Sequence, residues 1–207
     1  MKIKKKTKNA FKKTAVIIIT ICSIFVVVSF ISYEKPDDNF KVSYPVISEE
    51  VENYRHIVEK YAKKFDVLAY ENVLLAMMMQ ESGGRGNDPM QSSESYCGSR
   101  GCIDDPELSI KQGVYYFSKT LQDADDDLEL AIQSYNFGRG FIDYVQGKSG
   151  KYTIEIAIDF SKEMYDKDPN KSKYRCLREG ARELDACYGD IYYVRSVMEY
   201  REVLSGN

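Results

Sequence analysis

The chain is poor in the residues that hold metals. It has a single histidine, His56, and no Cys-x-x-Cys spacing, so zinc has no ligand set here. His56 lies off the apolar stripe of its helix and reads as a surface residue rather than a catalytic one. A net basic charge is missing from the body. The whole chain has a net charge of −3, but residues 1–14 hold seven lysines and no acid, leaving the rest at −10. A body that acidic offers no basic face to nucleic-acid phosphates. Asp125-Asp126-Asp127 lacks the alternating oxygen ligands and closing Glu of an EF-hand, and reads as a helix cap. Gly147-Lys148-Ser149-Gly150 lacks the upstream glycine and strand of a phosphate-binding loop. No internal repeat is present. Neither a cofactor, a metal nor a nucleic-acid partner is expected.

A long uncharged run is present. Ala15 to Ile31 is seventeen residues without a charge, a helical length of roughly 26 Å, and Ser32 and Tyr33 extend it toward a full crossing. Lysines precede it and Glu34, Asp37 and Asp38 follow it, which orients the N-terminus to the cytoplasm. No small-x-small cleavage site follows, and Cys22 comes after Ile21, where a lipoprotein signal wants a small residue. The expectation is a basic cytoplasmic segment over 1–14, an uncleaved transmembrane signal-anchor over 15–33, a stalk over 34–47 and an exported domain over 48–207. Beyond Cys22 the cysteines are Cys97, Cys102, Cys176 and Cys187. An even number in an exported domain suggests two disulfides, and the sequence-adjacent pairs Cys97–Cys102 and Cys176–Cys187 are the simplest of the three connectivities.

The body reads as nearly all helix. Ser48 caps a helix with Glu49 and Glu50 in its first turn and Val51, Tyr54, Val58, Tyr61 and Phe65 as its inward stripe. Asp105-Pro106-Glu107 marks another start, leading to Ile110, Val114, Phe117 and Leu121. Leu128, Ala131, Ile132 and Tyr135 line the next helix, which stops at Asn136-Phe137-Gly138. Ile154 to Phe160 alternates like a strand, but Thr153 as a cap and the continuation to Met164 favour a helix. Gly189-Asp190 opens a final helix with Tyr192, Val194, Val197, Tyr200 and Val203.

The stretch Val73-Leu74-Leu75-Ala76-Met77-Met78-Met79 runs into Gln80-Glu81-Ser82-Gly83-Gly84. Leu74, Met77 and Met78 share one helical face, predicting a core helix over 73–80 with a glycine stop. Glu81 then sits at the lip of the core. Desolvation there raises a carboxyl pKa and keeps it able to donate a proton near neutrality, as a glycosidase requires of its acid. Spacing alone leaves a solvated helix end as the alternative.

Glu81-Ser82, Pro89-Met90-Gln91 and Ser134-Tyr135-Asn136-Phe137-Gly138, in that order, are similar to the three-part signature of goose-type lysozymes and lytic transglycosylases. Met79 to Gly84, Asp88 to Ser95, Asp105 to Gly113 and Tyr188-Gly189-Asp190 resemble the lysozyme-like domain of CwlT-type cell-wall hydrolases, which are linked to conjugative elements of Gram-positive bacteria. The resemblance covers about residues 48–204. It implies a mainly α, lysozyme-like fold whose substrate is the glycan strand of peptidoglycan, cut after N-acetylmuramic acid. Glu81 would be the catalytic acid, later acting as base. Gln91 and Ser92 would contact sugar, Tyr135 and Asn136 would border the cleft, and Ser82, grouped with the substrate-binding residues, would support the loop. Core packing is the alternative for Tyr135. The separation from Glu81 to Met90 is short for a transglycosylase. Asp88 and Glu94 are candidates for a second carboxylate, either of which could instead be structural. Three outcomes stay open: hydrolysis, ring closure to 1,6-anhydro ends, and a glycan-binding scaffold without chemistry. The partners implied are peptidoglycan, the membrane through the N-terminal helix, and a conjugation or secretion complex. With the sequence ending at Asn207, peptide cleavage is not expected.

Overall fold

The computed structural model describes residues 13–14, 16, 18–25, 45–176 and 178–206. The chain divides into two units, Met1–Ser43 and Tyr44–Asn207. In the first, residues 18–25 are helical and exposed. Of the expected span over 15–33 only residues 16 and 18–25 are described, of the basic segment over 1–14 only 13–14, and of the stalk over 34–47 only 45–47. Among the described residues no helix is long and apolar enough to cross a membrane.

The second unit is built of helices, with no strand among its described residues. In chain order they are α1 (Glu49–Asn53), α2 (Arg55–Lys64), α3 (Glu71–Glu81), α4 (Ser93–Cys97), α5 (Pro106–Asp123), α6 (Leu128–Phe137), α7 (Gly140–Gln146), α8 (Ile154–Lys167) and α9 (Tyr193–Leu204). Their starts follow the caps. The hydroxyl of Ser48 accepts from the Val51 amide at 3.2 Å, and the Asp105 carboxylate accepts from Glu107 and Leu108 at 3.1 and 3.3 Å. Asp127 accepts from Leu130 at 3.1 Å and Thr153 from Ile156 at 3.3 Å. Each such cap contributes about 1 kcal/mol. Asp125 and Asp126 turn the chain in left-handed backbone, with φ 50° and 64°, a conformation Asp tolerates better than most residues. The segment from Ile154 is helical despite its alternation, because Thr153 caps it and Ala157, Phe160 and Ser161 are buried at helical spacing.

Three expectations are refined. The single helix expected after Ser48 breaks at Tyr54, whose amide is shared between the Glu50 and Val51 carbonyls at 3.3 and 3.1 Å, a three-centre bond typical of helix ends. The final helix begins at Tyr193 rather than at Gly189-Asp190, because the Asp190 side chain accepts from the Tyr192 amide at 2.9 Å and forms a turn ahead of it. Helix α3 is apolar on every side rather than on one. Six consecutive residues, Val73 to Met78, are buried, as expected of a helix enclosed by others. It lies against α9 on one flank and α1 and α2 on another. Leu74, Leu75, Met77 and Met78 are fully buried, each contributing about 2 kcal/mol.

Helix α5 packs on α2 and α6, and α6 on α7 and α9. The rings of Phe137, Phe141 and Phe160 meet at 5.0–5.3 Å and join α6, α7 and α8. Both expected disulfides are formed, Cys97–Cys102 and Cys176–Cys187.

Candidate active site

Glu81 is the last residue of α3. Gly83 and Gly84, with φ 65° and 77°, take the chain off the helix where a Cβ would be strained. The carboxyl stays behind against the core, where the buried Tyr193 hydroxyl of α9 donates to its Oε1 at 2.7 Å. Burial pushes the Glu81 pKa from 4.5 up to about 7, the Tyr193 hydrogen bond pulls the other way, and the charges of Asp88 and Asp190 push it further up. A substantial fraction of Glu81 is therefore protonated at neutral pH.

The carboxyl opens into a cleft of about 350 Å³, lined also by Asp88, Gln91, Ser93, Tyr135 and Asn136. One wall is the turn from Asp88 to Gln91. The Ser82 hydroxyl fastens it, donating to the Pro89 carbonyl at 2.8 Å. Asp88 organises its far side. Its carboxylate accepts from Ser109 Oγ at 2.6 Å, Ser93 Oγ at 2.6 Å, and the Ser92 and Ser93 amides at 2.9 and 3.1 Å. Burial alone would raise its pKa, but the bonds from Ser109, Ser93 and the two amides outweigh it and hold Asp88 below the ordinary carboxylate value. Gln91 turns outward in left-handed backbone, with φ 49°, at a cost of about 1 kcal/mol. Its side-chain nitrogen donates to the Asp88 carbonyl at 2.8 Å, leaving its Oε1 for the cleft.

The opposite wall is the end of α6. The Tyr135 hydroxyl donates to the Met90 carbonyl at 2.9 Å, and burial pushes its pKa well above the ordinary tyrosine value. Asn136 Oδ1 accepts from the Asp190 amide at 2.7 Å. Two glycines allow these approaches. A Cβ on Gly113 would lie 2.7 Å from Met90 Cβ and 2.8 Å from the Tyr135 hydroxyl, and one on Gly189, at φ +62°, would lie 2.7 Å from Asn136 Oδ1. Asp190 ties the ends of α3 and α6 together. Its carboxylate accepts from Gln80 at 3.3 Å and Arg178 Nε at 2.8 Å, and its carbonyl accepts from Gln133 at 2.9 Å.

The structure thus brings Glu81, Asp88, Gln91, Tyr135 and Asn136 to one cleft, with Glu94 at its rim, paired with Arg100 at 2.9 Å. Two expected residues do not face it. Ser92 is buried, and its hydroxyl donates to the Ser109 carbonyl at 3.0 Å, so it supports the turn instead of offering itself to a ligand. Ser82 spends its hydroxyl on Pro89. Tyr193, Asp190, Ser109 and Ser93 bond to the residues of the cleft and were missed by the sequence reading. Tyr193 lay one place off the stripe drawn through Tyr192 and Val194, and Asp190 stood within a quoted motif without a role. Among the described residues no cluster of His, Cys, Asp or Glu is arranged to hold a metal ion.

Residues 48–201 match the family model described as lysozyme-like. The chain is 44% identical over 154 residues to the bifunctional muramidase/DL-endopeptidase CwlT of Bacillus subtilis, covering 74% of this chain and 42% of that protein. It is 35% identical over 204 residues to the uncharacterized membrane protein YocA of the same organism, covering 95% of this chain and 90% of that one. A crystal structure of a lipoprotein-like NLP/P60 family protein from Staphylococcus aureus superposes with a TM-score of 0.65 at 38% identity, covering 75% of this chain and 54% of that chain. The chain therefore spans less than half of CwlT, but the match takes in both walls of the cleft and the helix that carries Glu81. The chain belongs to the lysozyme-like family.

Proposed function

We propose that the chain is a glycosidase of peptidoglycan, cutting the glycan strand between N-acetylmuramic acid and N-acetylglucosamine with Glu81 as general acid. The observation that carries this reading is the Glu81 carboxyl, held at the end of the buried α3 by the Tyr193 hydroxyl and lining an open polar cleft, where burial pushes its pKa up to about 7. The proton reaches the glycosidic oxygen from Glu81, and the resulting carboxylate then takes a proton back from the incoming hydroxyl. Tyr193 steadies the carboxylate formed in between. Gln91 Oε1 is oriented to accept from sugar hydroxyl or acetamido groups, and Tyr135 and Asn136 hold the wall against which the sugar rests. Glu81→Gln keeps the shape and removes the proton. Release of muropeptides from purified peptidoglycan should fall about 10²–10⁴-fold. Unchanged release would favour a glycan-binding scaffold over an enzyme.

Hydrolysis with inversion needs a second carboxylate free to activate water, about 6.5–9.5 Å from the acid. Of the two candidates, Asp88 spends both oxygens on four hydrogen bonds from Ser92, Ser93 and Ser109. That engagement favours the second reading, ring closure by the sugar's own hydroxyl to a 1,6-anhydro end. Product masses decide it, since anhydro ends lack the mass of one water.

The domain over 48–207 is proposed to stand outside the cell on a stalk over 34–47, held by a transmembrane anchor over 15–33 with residues 1–14 in the cytoplasm. The uncharged run after seven lysines supports this, as does the description of YocA as a membrane protein. Recovery of the full-length mass from washed membranes is expected, and a fragment cut near Ser32 in the medium would count against it. A tether confines cutting to a small zone, which suits local wall opening for a conjugation or secretion apparatus.

A further inference from the structure

The outer part of the cleft is built by α4 and the loop that the Cys97–Cys102 disulfide closes. Gly98 and Gly101, with φ 77° and 73°, turn the loop back on itself between cysteines five positions apart. Arg100 and Gly101 then line the cleft. Among the described residues Arg100 is the only cation lining it, and the other charged groups there, Glu81, Asp88 and Glu94, are acids. The guanidinium donates from Nε to Glu94 Oε1 at 2.9 Å. Its two terminal nitrogens have no partner among the described residues.

That pair is built to open. The side chains of Arg100 and Glu94 are 87% and 61% exposed, and a pair so bathed in water holds together weakly. A guanidinium presents a planar fork that matches a carboxylate with two parallel bonds. Glu94 engages only part of that fork. The cleft's other charges are acids and the body outside residues 1–14 carries a net −10, so within the cleft Arg100 is the group that attracts a carboxylate.

We propose that Arg100, held out by the disulfide-closed loop, binds a carboxylate of the substrate strand, which displaces Glu94 from the guanidinium. The residue thereby selects strands by their acidic groups. This rests on the cleft being a peptidoglycan site. The carboxylate has two sources in that polymer: the stem peptides of an intact strand, or the lactyl groups of muramic residues whose stems have been removed.

The test measures binding of the full-length chain to insoluble peptidoglycan by co-sedimentation, in a Glu81→Gln background so that turnover does not consume the ligand. Three ligands are compared: intact strands, strands stripped of stems by an amidase, and strands whose carboxylates have been amidated chemically. Arg100→Ala should weaken binding about tenfold, with Arg100→Lys intermediate and Glu94→Gln tighter than the parent. Weakening on intact strands alone assigns the stem carboxylate, on stripped strands alone the lactyl group, and on both assigns both. A change below twofold on intact and stripped strands overturns the proposal. Equal weakening on amidated strands also overturns it, because the loop then shapes the cleft without reading charge. The outcome is independent of catalysis: a wild-type chain that releases no muropeptide defeats the enzymatic reading while leaving the Arg100 comparison readable.

Discussion

At the scale of single residues, the chemistry rests on how one carboxyl is kept from water and what touches it. The general acid must be protonated to act, so release of muropeptides should fall as pH rises through about 7, the value to which burial pushes Glu81. The Tyr193 hydrogen bond favours the charged form of Glu81. Tyr193→Phe should therefore raise that pKa and move the falling limb of the pH–rate profile to higher pH, while costing about 1 kcal/mol in urea denaturation. A limb that moves to lower pH would contradict the assignment. Glu81 was legible in the sequence because an apolar run ending in a glycine pair leaves a carboxylate at the lip of a core. Tyr193 was not, because its partner lies 112 positions away and a tyrosine on an amphipathic helix looks the same whether it packs or donates.

Elements came through the sequence where a cap and a stripe agreed, as at Asp105, Asp127 and Thr153, and less well where short-range geometry decided. The five-residue α4 has no long stripe to betray it, and it follows a turn held by Asp88 through side-chain bonds that spacing does not encode. The all-round burial of α3 was likewise hidden, since periodicity marks one face and says nothing of how many neighbours a helix will have. The fit between elements makes a sharp prediction at Gly113. An added methyl there meets Met90 and the Tyr135 hydroxyl at once. Gly113→Ala should therefore destabilise the fold by about 1–3 kcal/mol in urea denaturation and lower activity by pushing the Met90-Gln91 turn away from α6. Unaltered stability with full activity would mean that α5 shifts freely against α6.

For the molecule as a whole, the site and the fold pull against each other through pH. The Glu81 pKa is raised on folding from 4.5 to about 7. Its contribution to stability is thus complete below the lower value and is lost as pH rises through the upper one. From this group alone the fold should be about 3 kcal/mol less stable at pH 8 than at pH 4. Asp88 has the opposite sign, since its lowered pKa withdraws stability in acid. Urea midpoints taken across that range should separate the two: Glu81→Gln should abolish the loss on the alkaline side and leave the acid side unchanged. The whole was legible as a helical, lysozyme-like body, but the crossing of distant segments at Asp190 was not, because it joins Gln80, Asn136 and Arg178 from three parts of the chain. The first cap of the body has a consequence of its own. Besides starting α1, the Ser48 hydroxyl donates to the Gly83 carbonyl at 2.8 Å, and its amide meets the Met79 sulfur at 3.3 Å. The seam where the folded body begins is thereby stitched to the segment that flanks Glu81, so proteolytic trimming past that one serine should both uncap α1 and loosen the chain beside the proposed acid.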